Sequence, residues 1–320
     1  MLAGRWTRGP EGRGAVFVTI VDSRAADALK RRVVAILNTA SGGWDAHAEA
    51  RTKEIFAQAD LPHAEVISAP PSEIEDAIDQ AVASADVLVV LGGDGTIRSA
   101  AAKCAGFPGF LMPLPGGTMN MLPHALYGAR TWPRALADTL ANPEIHPVSG
   151  GQAGGHAFFV AALMGAPTLW ADAREALRAG RVLEAAKRAV TAMRRSRAEP
   201  LEYVFSDTLR GGAEAVVVVC PLISKVMDEN EPALEAAAID PETAGEALRL
   251  GFHAIFDGWR QDPTVKRATV RSLSVTGHGQ VPVILDGERI RMGRRVNISF
   301  TPQAFRALVP GHPEVTPPPS

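Results

Sequence analysis

The run Val87-Leu88-Val89-Val90-Leu91-Gly92-Gly93-Asp94-Gly95-Thr96 joins an apolar segment to a turn whose residue types suit an anion. The apolar run reads as a buried parallel strand, and the helix after it starts around Thr96 and passes through Ala100, Ala101 and Ala102. Glycines at such a turn remove Cβ atoms, so that backbone N–H groups approach a ligand closely. A helix N-terminus adds unpaired donors and partial positive charge, which suits a phosphate. Asp94 is itself an acceptor, so it suits a ribose hydroxyl, a bound Mg²⁺ or a backbone turn rather than the phosphate. The competing reading is a plain Asp-Gly turn with no ligand.

Two further turns of the same character stand on either side. Val33 to Leu37 reads as a short buried strand ending in Asn38-Thr39-Ala40-Ser41-Gly42-Gly43, and Phe110 to Leu114 as a strand ending in Pro115-Gly116-Gly117-Thr118-Met119-Asn120. Between them, residues 44–59 read as a helix, His63 to Ile67 as a strand, and 72–84 as a helix with Ile74, Ala77, Ile78 and Ala81 at helical spacing. Asp86 to Leu91 is the strand before the central turn. Strand–helix alternation with short connections predicts a parallel sheet wrapped by helices. The three turns then fall at the carboxyl ends of strands, where open α/β sheets place their ligands.

The character changes near Val148, where Gly150, Gly151, Gly154 and Gly155 open a β-rich region. Its expected strands are Ala157–Leu163, Leu201–Phe205, Ala215–Val219, Leu248–Ile255, Ala268–Val275, Val281–Leu285 and Val296–Phe300, with helices over about 171–196 and 252–261. A chain of 320 residues with 46% hydrophobic content can fill two cores. Lys and Arg (33) nearly balance Asp and Glu (35), so no basic excess points to nucleic acid. The two cysteines, Cys104 and Cys220, lie far apart and fit a reducing cytoplasm better than a disulfide framework. No aliphatic run is long enough to span a bilayer, and the expectation is a soluble chain. H-E-x-x-H, C-x-x-C and G-x-S-x-G are absent, which withdraws support from zinc hydrolysis and serine-esterase chemistry. G-x-x-x-x-G-K-[ST] is absent as well, so the cradle is not of the Walker type.

Taken together, the three turns resemble the diacylglycerol kinase catalytic domain, the lipid-kinase family that includes sphingosine and ceramide kinases. Its Asn-Pro-x-Ser-Gly, Gly-Gly-Asp-Gly-Thr and Pro-x-Gly-Thr-x-Asn patterns appear as Asn38 to Gly42, Gly92 to Thr96 and Pro115 to Asn120. A late Asp-Gly-Glu appears as Asp286-Gly287-Glu288. The resemblance covers roughly residues 32–310. It implies an α/β fold: an N-terminal NAD-kinase-like domain with a parallel sheet, and a C-terminal, mostly antiparallel β-sandwich-like domain. The corresponding division is an extension over 1–30, a nucleotide-binding domain over 31–147, a β-rich substrate domain over 148–301, a return to the first domain over 302–310, and a disordered tail over 311–320.

The resemblance also implies the site. ATP would lie between the domains, with its phosphates on Gly92, Gly93, Asp94, Gly95 and Thr96. Gly117, Thr118 and Asn120 would line the same cleft, with Asn38, Ser41 and Gly42 near the nucleotide. Ser68 is the nearest match to a family threonine after the second strand. The family assigns its base to the late motif, and the role is carried jointly to Asp286 and Glu288. In an extended segment these i and i+2 carboxylates would share a face, whereas a hairpin turn of Asp-Gly type is the competing reading. Mg²⁺ is expected with ATP, and the metal ligands are left open.

Three departures stand out. The family commonly continues its central turn with x-Asn-Glu, where this chain has Ile97-Arg98-Ser99. The position after Asn120, often Asp, is Met121, and Asn230 to Asp240 holds no match to an Asp-Asp-Gly metal segment. The expected activity is ATP-dependent phosphorylation of a lipid hydroxyl of the diacylglycerol, sphingoid, ceramide or phosphatidylglycerol type, at a membrane surface. The implied location is cytoplasmic and peripheral at the inner membrane. The expected helix 171–196, with Arg174, Arg178, Arg181, Lys187, Arg188, Arg194 and Arg195, could lie against anionic lipid or present an ordinary solvated face. The rivals are a soluble-substrate kinase of the NAD kinase type and a catalytically weak nucleotide- or lipid-binding regulator. Oligomeric state is left open.

Overall fold

The computed structural model describes residues 23–165, 200–224, 226–228, 230–239 and 265–311. The expected helices over 171–196 and 252–261, the strand Leu248–Ile255 and the tail after Gly311 lie outside the described residues, as do residues 1–22. The first lobe opens with helix α1 (Ser23–Leu29), which buries Ala25, Ala28 and Leu29 within the span expected to be an extension. It continues as β1 (Val33–Asn38), α2 (Ala48–Gln58), β2 (Glu65–Ala69), α3 (Ile74–Val82), β3 (Val87–Gly92), α4 (Asp94–Lys103), β4 (Phe110–Pro115), α5 (Met121–Tyr127) and α6 (Trp132–Ala141). β1, β3 and β4 are buried at every position, as the apolar runs predict for strands covered on both faces. The sheet runs β2-β1-β3-β4, all parallel.

That order fixes where a ligand can enter. From β1 the chain steps outward to β2 through α2, then crosses back over β1 to β3 through α3, and continues in the same direction to β4 through α4. With right-handed crossovers, α2 lies on one face of the sheet and α3 and α4 on the other. The reversal lies between β1 and β3, so the crevice at their carboxyl ends is the topological switch point. The turns after β1 and β3 flank it.

The second lobe is antiparallel. Its strands are β5 (Pro143–Ala153), β6 (His156–Phe158), β7 (Ala161–Gly165), β8 (Leu201–Val204), β9 (Arg210–Ala213), β10 (Ala215–Val219), β11 (Leu234–Ile239), β12 (Lys266–Val270), β13 (Ser272–Thr276), β14 (Pro282–Leu285), β15 (Glu288–Arg291) and β16 (Arg295–Pro310). One sheet runs β12-β11-β10-β7-β14-β15, and the other continues the first-lobe sheet through β16, β13, β8 and β9. Val216, Val218, Val283 and Leu285 from the first of these pack with Leu273, Val275, Val296 and Ile298 from the second. The two faces make a β-sandwich core. The expected α/β lobe with a parallel sheet, followed by a β-sandwich-like lobe, is the architecture observed.

The lobes share two long strands. β16 pairs antiparallel with β5 along most of both, and Ala307 pairs in parallel with Leu111 of β4. The register shifts between Thr301 and Phe305, where Gln303 takes φ 42°. β5 passes residues 147 and 148 without a break. Gly154 and Gly155, at φ 54° and 87°, form the tight turn between β5 and β6. The stretch Ala268–Val275, expected as one strand, is two: β12 and β13 lie in different sheets and the chain crosses between them at Arg271.

Candidate active site

The three turns meet at the switch point. Asn38, at the end of β1, donates from Nδ2 to Thr96 Oγ1 at 2.9 Å and accepts at Oδ1 from the Ala40 N–H at 3.0 Å. The first turn bonds to the third through the Gly43 N–H and the Gly116 carbonyl at 2.8 Å, and the third to the second through the Gly116 N–H and the Gly92 carbonyl at 2.9 Å. Glycine is required where these backbones pass. A Cβ on Gly43 would lie 2.9 Å from Gly116 Cα, and one on Gly117 would lie 2.8 Å from Gly93 Cα. Gly43, Gly93, Gly116 and Gly117 therefore serve turn-on-turn packing. The N–H groups of Gly42 and Gly93 carry no backbone hydrogen bond, and the first turn of α4 has its usual orphan donors.

Asp94 takes the third of the roles its chemistry allowed. It is the first residue of α4, and its carboxylate accepts the Met121 N–H at 2.6 Å and the Asn120 N–H at 3.1 Å. It thereby caps α5 and clamps the second turn to the third. Burial pushes its carboxyl above the ordinary value against the opposing pull of these two N–H groups. Asn120, at φ 49°, closes the third turn on itself, accepting from the Gly117 N–H at 2.6 Å and donating to the Gly117 carbonyl at 2.9 Å. Thr118 is exposed at the tip of that turn. Ser68 stands apart from this group, because its hydroxyl donates to Glu49 of α2 at 3.0 Å.

The second lobe reaches this floor through the β14–β15 hairpin. Leu285 pairs with Glu288, which leaves Asp286 and Gly287, at φ 47° and 89°, as a two-residue turn of type I′. The two carboxylates therefore do not share a face, as the extended reading expected. An Asp-Gly pair with positive φ at both positions reverses the chain and sends the side chains apart. Asp286 turns inward, only 3% exposed, and accepts three N–H groups: Phe159 at 2.7 Å, Val160 at 2.9 Å and Ala161 at 2.9 Å. Burial nevertheless raises its pKa to about 6 against those bonds. With its oxygens committed, Asp286 fixes the hairpin to the β6–β7 connection and is not presented to the cleft.

Glu288 is presented. Its carboxylate lies against Gly95, where a Cβ would fall inside it, and Oε2 accepts from Arg98 Nη2 at 2.6 Å. A Cβ on Gly287 would lie 3.4 Å from Met121 Sδ and 3.9 Å from Asp94 Cβ, so the hairpin tip touches the floor of the turns. Ser99 donates to Glu75 of α3 at 2.7 Å. Of the departures from the family pattern, Arg98 and Met121 therefore face the second lobe, and Ser99 faces the neighbouring helix. Sequence reasoning did not foresee the Arg98–Glu288 pair or the cradle at Phe159–Ala161. The i, i+3 spacing of Gly95 and Arg98 was the available signal for the first, since it places both on one side of α4.

Among the described residues, the buried side-chain polar atoms without a partner are Ser41 Oγ, Trp44 Nε1 and Arg98 Nε. Ser41 lies in the first turn, Trp44 directly after it, and Arg98 in the helix after the second turn. No group of three or more metal-ligating side chains occurs among the described residues, and each Asp94 oxygen accepts one backbone N–H. The described residues thus offer anion donors at this site.

Residues 32–153 match the sequence model of the diacylglycerol kinase catalytic domain. No curated protein matches the chain. Among solved structures, it resembles a candidate diacylglycerol kinase from Bacillus anthracis str. Sterne, with 18% identity, a TM-score of 0.67, and coverage of 87% of this chain and 97% of that one. A diacylglycerol kinase structure from the same organism aligns at 16% identity and a TM-score of 0.64, covering 87% and 96%. At this identity the structural likeness establishes the fold, and the site rests on the geometry above. Residues 32–153 thus match the diacylglycerol kinase catalytic domain model, and the chain carries the two-lobed fold of the structures it resembles.

Proposed function

We propose that the chain is an ATP-dependent kinase that transfers the γ-phosphoryl group to a lipid hydroxyl in the cleft between its lobes. The observation that carries this reading is the delivery of the Glu288 carboxylate from the second lobe onto Gly95, in the first turn of a helix that begins at a glycine turn. Phosphoryl transfer needs positioned phosphates and a base for the incoming hydroxyl, and this juxtaposition supplies both. Backbone donors of the second turn and α4 hold the phosphates, and Ser41 and Gly42 bound the nucleotide on the β1 side. Glu288 takes the proton of the acceptor hydroxyl as its oxygen forms a bond to the γ-phosphorus. The bond from that phosphorus to the β–γ bridging oxygen breaks, and its electron pair leaves with ADP. Mg²⁺ would be carried on the nucleotide's own phosphates and would neutralise charge there. Asp286 and Asp94 act by position, the first holding the hairpin and the second joining two turns.

A lipid acceptor requires contact with a membrane surface, and diacylglycerol, a sphingoid base, ceramide and phosphatidylglycerol all carry a suitable hydroxyl. No helix among the described residues is long and apolar enough to cross a membrane. The Arg98–Glu288 ion pair favours one second reading, a catalytically weak nucleotide-binding regulator, because it neutralises the base. The deciding experiment supplies ATP labelled at the γ-phosphate, with Mg²⁺, to the chain in the presence of a mixed lipid extract or of NAD⁺. Label in the organic phase is the expected result. Label on NAD⁺ would move the assignment to a soluble-substrate kinase, and ATP binding with no labelled product would move it to the regulator.

A further inference from the structure

The cation beside the phosphate turn has no counterpart in the x-Asn-Glu pattern of the family, and its surroundings suggest a use. Arg98 projects from α4 one turn after Gly95, with its side chain 17% exposed against 42% for its partner Glu288. Lys103, at the far end of α4, bonds Asp79 and Glu75, and Arg306 bonds the Pro108 carbonyl just before β4, both at the edge opposite the turns, while Arg51 lies over the Trp132 ring near Asp45. Among these, Arg98 is the cation at the glycine turn.

Its present seat is incomplete. Only Nη2 meets Glu288, and Nε is buried without an acceptor. Guanidinium binds most strongly through two parallel N–H donors, and a buried donor left unpaired is a cost that a better acceptor removes. A tetrahedral phosphoryl group offers two oxygens to such a fork, and Asp286 cannot, because three backbone N–H groups hold its oxygens. Position selects which phosphoryl group. Arg98 lies within hydrogen-bonding distance of the carboxylate proposed to deprotonate the acceptor, so it stands beside the reacting phosphorus and not the outer end of the nucleotide.

We propose that Arg98 is a phosphate-triggered partner of Glu288: it holds the carboxylate while no triphosphate is bound, and turns to the γ-phosphoryl group when one enters, releasing Glu288 for the acceptor hydroxyl. This inference rests on the kinase reading above and adds to it a residue specific to this chain. Nucleotide binding and exposure of the base then become one event, and ADP, which lacks the γ-phosphoryl group, does not trigger it.

The test is calorimetric titration of ATP and ADP, each with Mg²⁺, into the wild-type chain, Arg98→Ala and Arg98→Lys, alongside KM for ATP and kcat. Loss of a charge-assisted fork is expected to weaken ATP binding by about 10- to 100-fold in Arg98→Ala, with ADP binding changed by less than about twofold. Lysine, a point cation without the fork, should restore part of the ATP affinity. Equal weakening of ATP and ADP, or no change in either, would overturn the proposal while leaving the kinase reading intact. A wild-type chain that binds no ATP would overturn the kinase reading itself and this inference with it. Arg98→Gln gives the same comparison if the alanine variant does not fold.

Discussion

Replacing Asp286 by asparagine separates its anchoring role from a catalytic one. The carboxylate is 3% exposed, and its folded pKa of about 6 stands above the ordinary value of 3.8. Between these values the folded chain binds more protons than the unfolded one. The stability contributed by protonation is therefore fully present below about pH 4 and lost as pH rises through about 6. The whole interval corresponds to about 3 kcal/mol, of which roughly 1 kcal/mol is gained on going from pH 7 to pH 5. Asparagine does not titrate and cannot follow that gain. It also turns an amide NH₂ or a single shared oxygen toward three N–H groups, which leaves at least one buried donor unpaired at about 1–3 kcal/mol. Removing the buried charge offsets part of that loss at pH 7. Urea unfolding of wild type and Asp286→Asn at pH 7 and pH 5 should thus show a difference that widens by about 1 kcal/mol at the lower pH. A difference that stays constant or narrows would refute the argument that Asp286 is buried at a net electrostatic cost.

Gly95→Ala drives a methyl group into the Glu288 carboxylate, whose half-exposed side chain can swing away. Thermal stability should stay within about 1 kcal/mol while phosphoryl transfer falls, which melting and rate measurements on one preparation would check. Gly117→Ala brings a Cβ to 2.8 Å from Gly93 Cα, where only backbone can yield. It should cost about 1–3 kcal/mol and weaken ATP binding, read by melting and titration. Asp94→Ala removes the acceptor of the Asn120 and Met121 N–H groups and should destabilise the chain by about 1–2 kcal/mol in urea unfolding.

The parallel half of the fold was legible because its strands are apolar at every position and stop at glycine turns. Val87–Gly92, Val33–Asn38 and Phe110–Pro115 lie within one or two residues of their expected bounds. β5 was not legible. Pro143, Pro147, Gly150 and Gly151 break the alternation that signals a strand, and their tolerance comes from the long pairing with β16 and from the Phe158 ring that occupies the space beside Gly151. Ala268–Val275 read as one strand because periodicity carries no mark of a crossing between sheets at Arg271. At the site, the turns and the late Asp-Gly-Glu were visible as motifs, but the division of labour within that motif was not. The partners of Asp286 lie 125 to 127 residues away in sequence, and only the folded chain shows that its carboxylate is spent on them. Ser68 matched a family position by location alone, and its hydroxyl is taken by Glu49 of the adjacent helix.

The central claim is that the interlobe cleft transfers phosphate with Glu288 as base. Its most direct test is the rate of labelled γ-phosphate transfer from ATP to a lipid acceptor by wild type and Glu288→Gln, with ATP affinity measured on the same proteins. The account predicts labelled lipid from the wild type and a loss of about 10²- to 10⁴-fold in kcat for Glu288→Gln, with ATP affinity undiminished. A variant that transfers phosphate at the wild-type rate, or a wild type that binds ATP and labels no lipid, would contradict it.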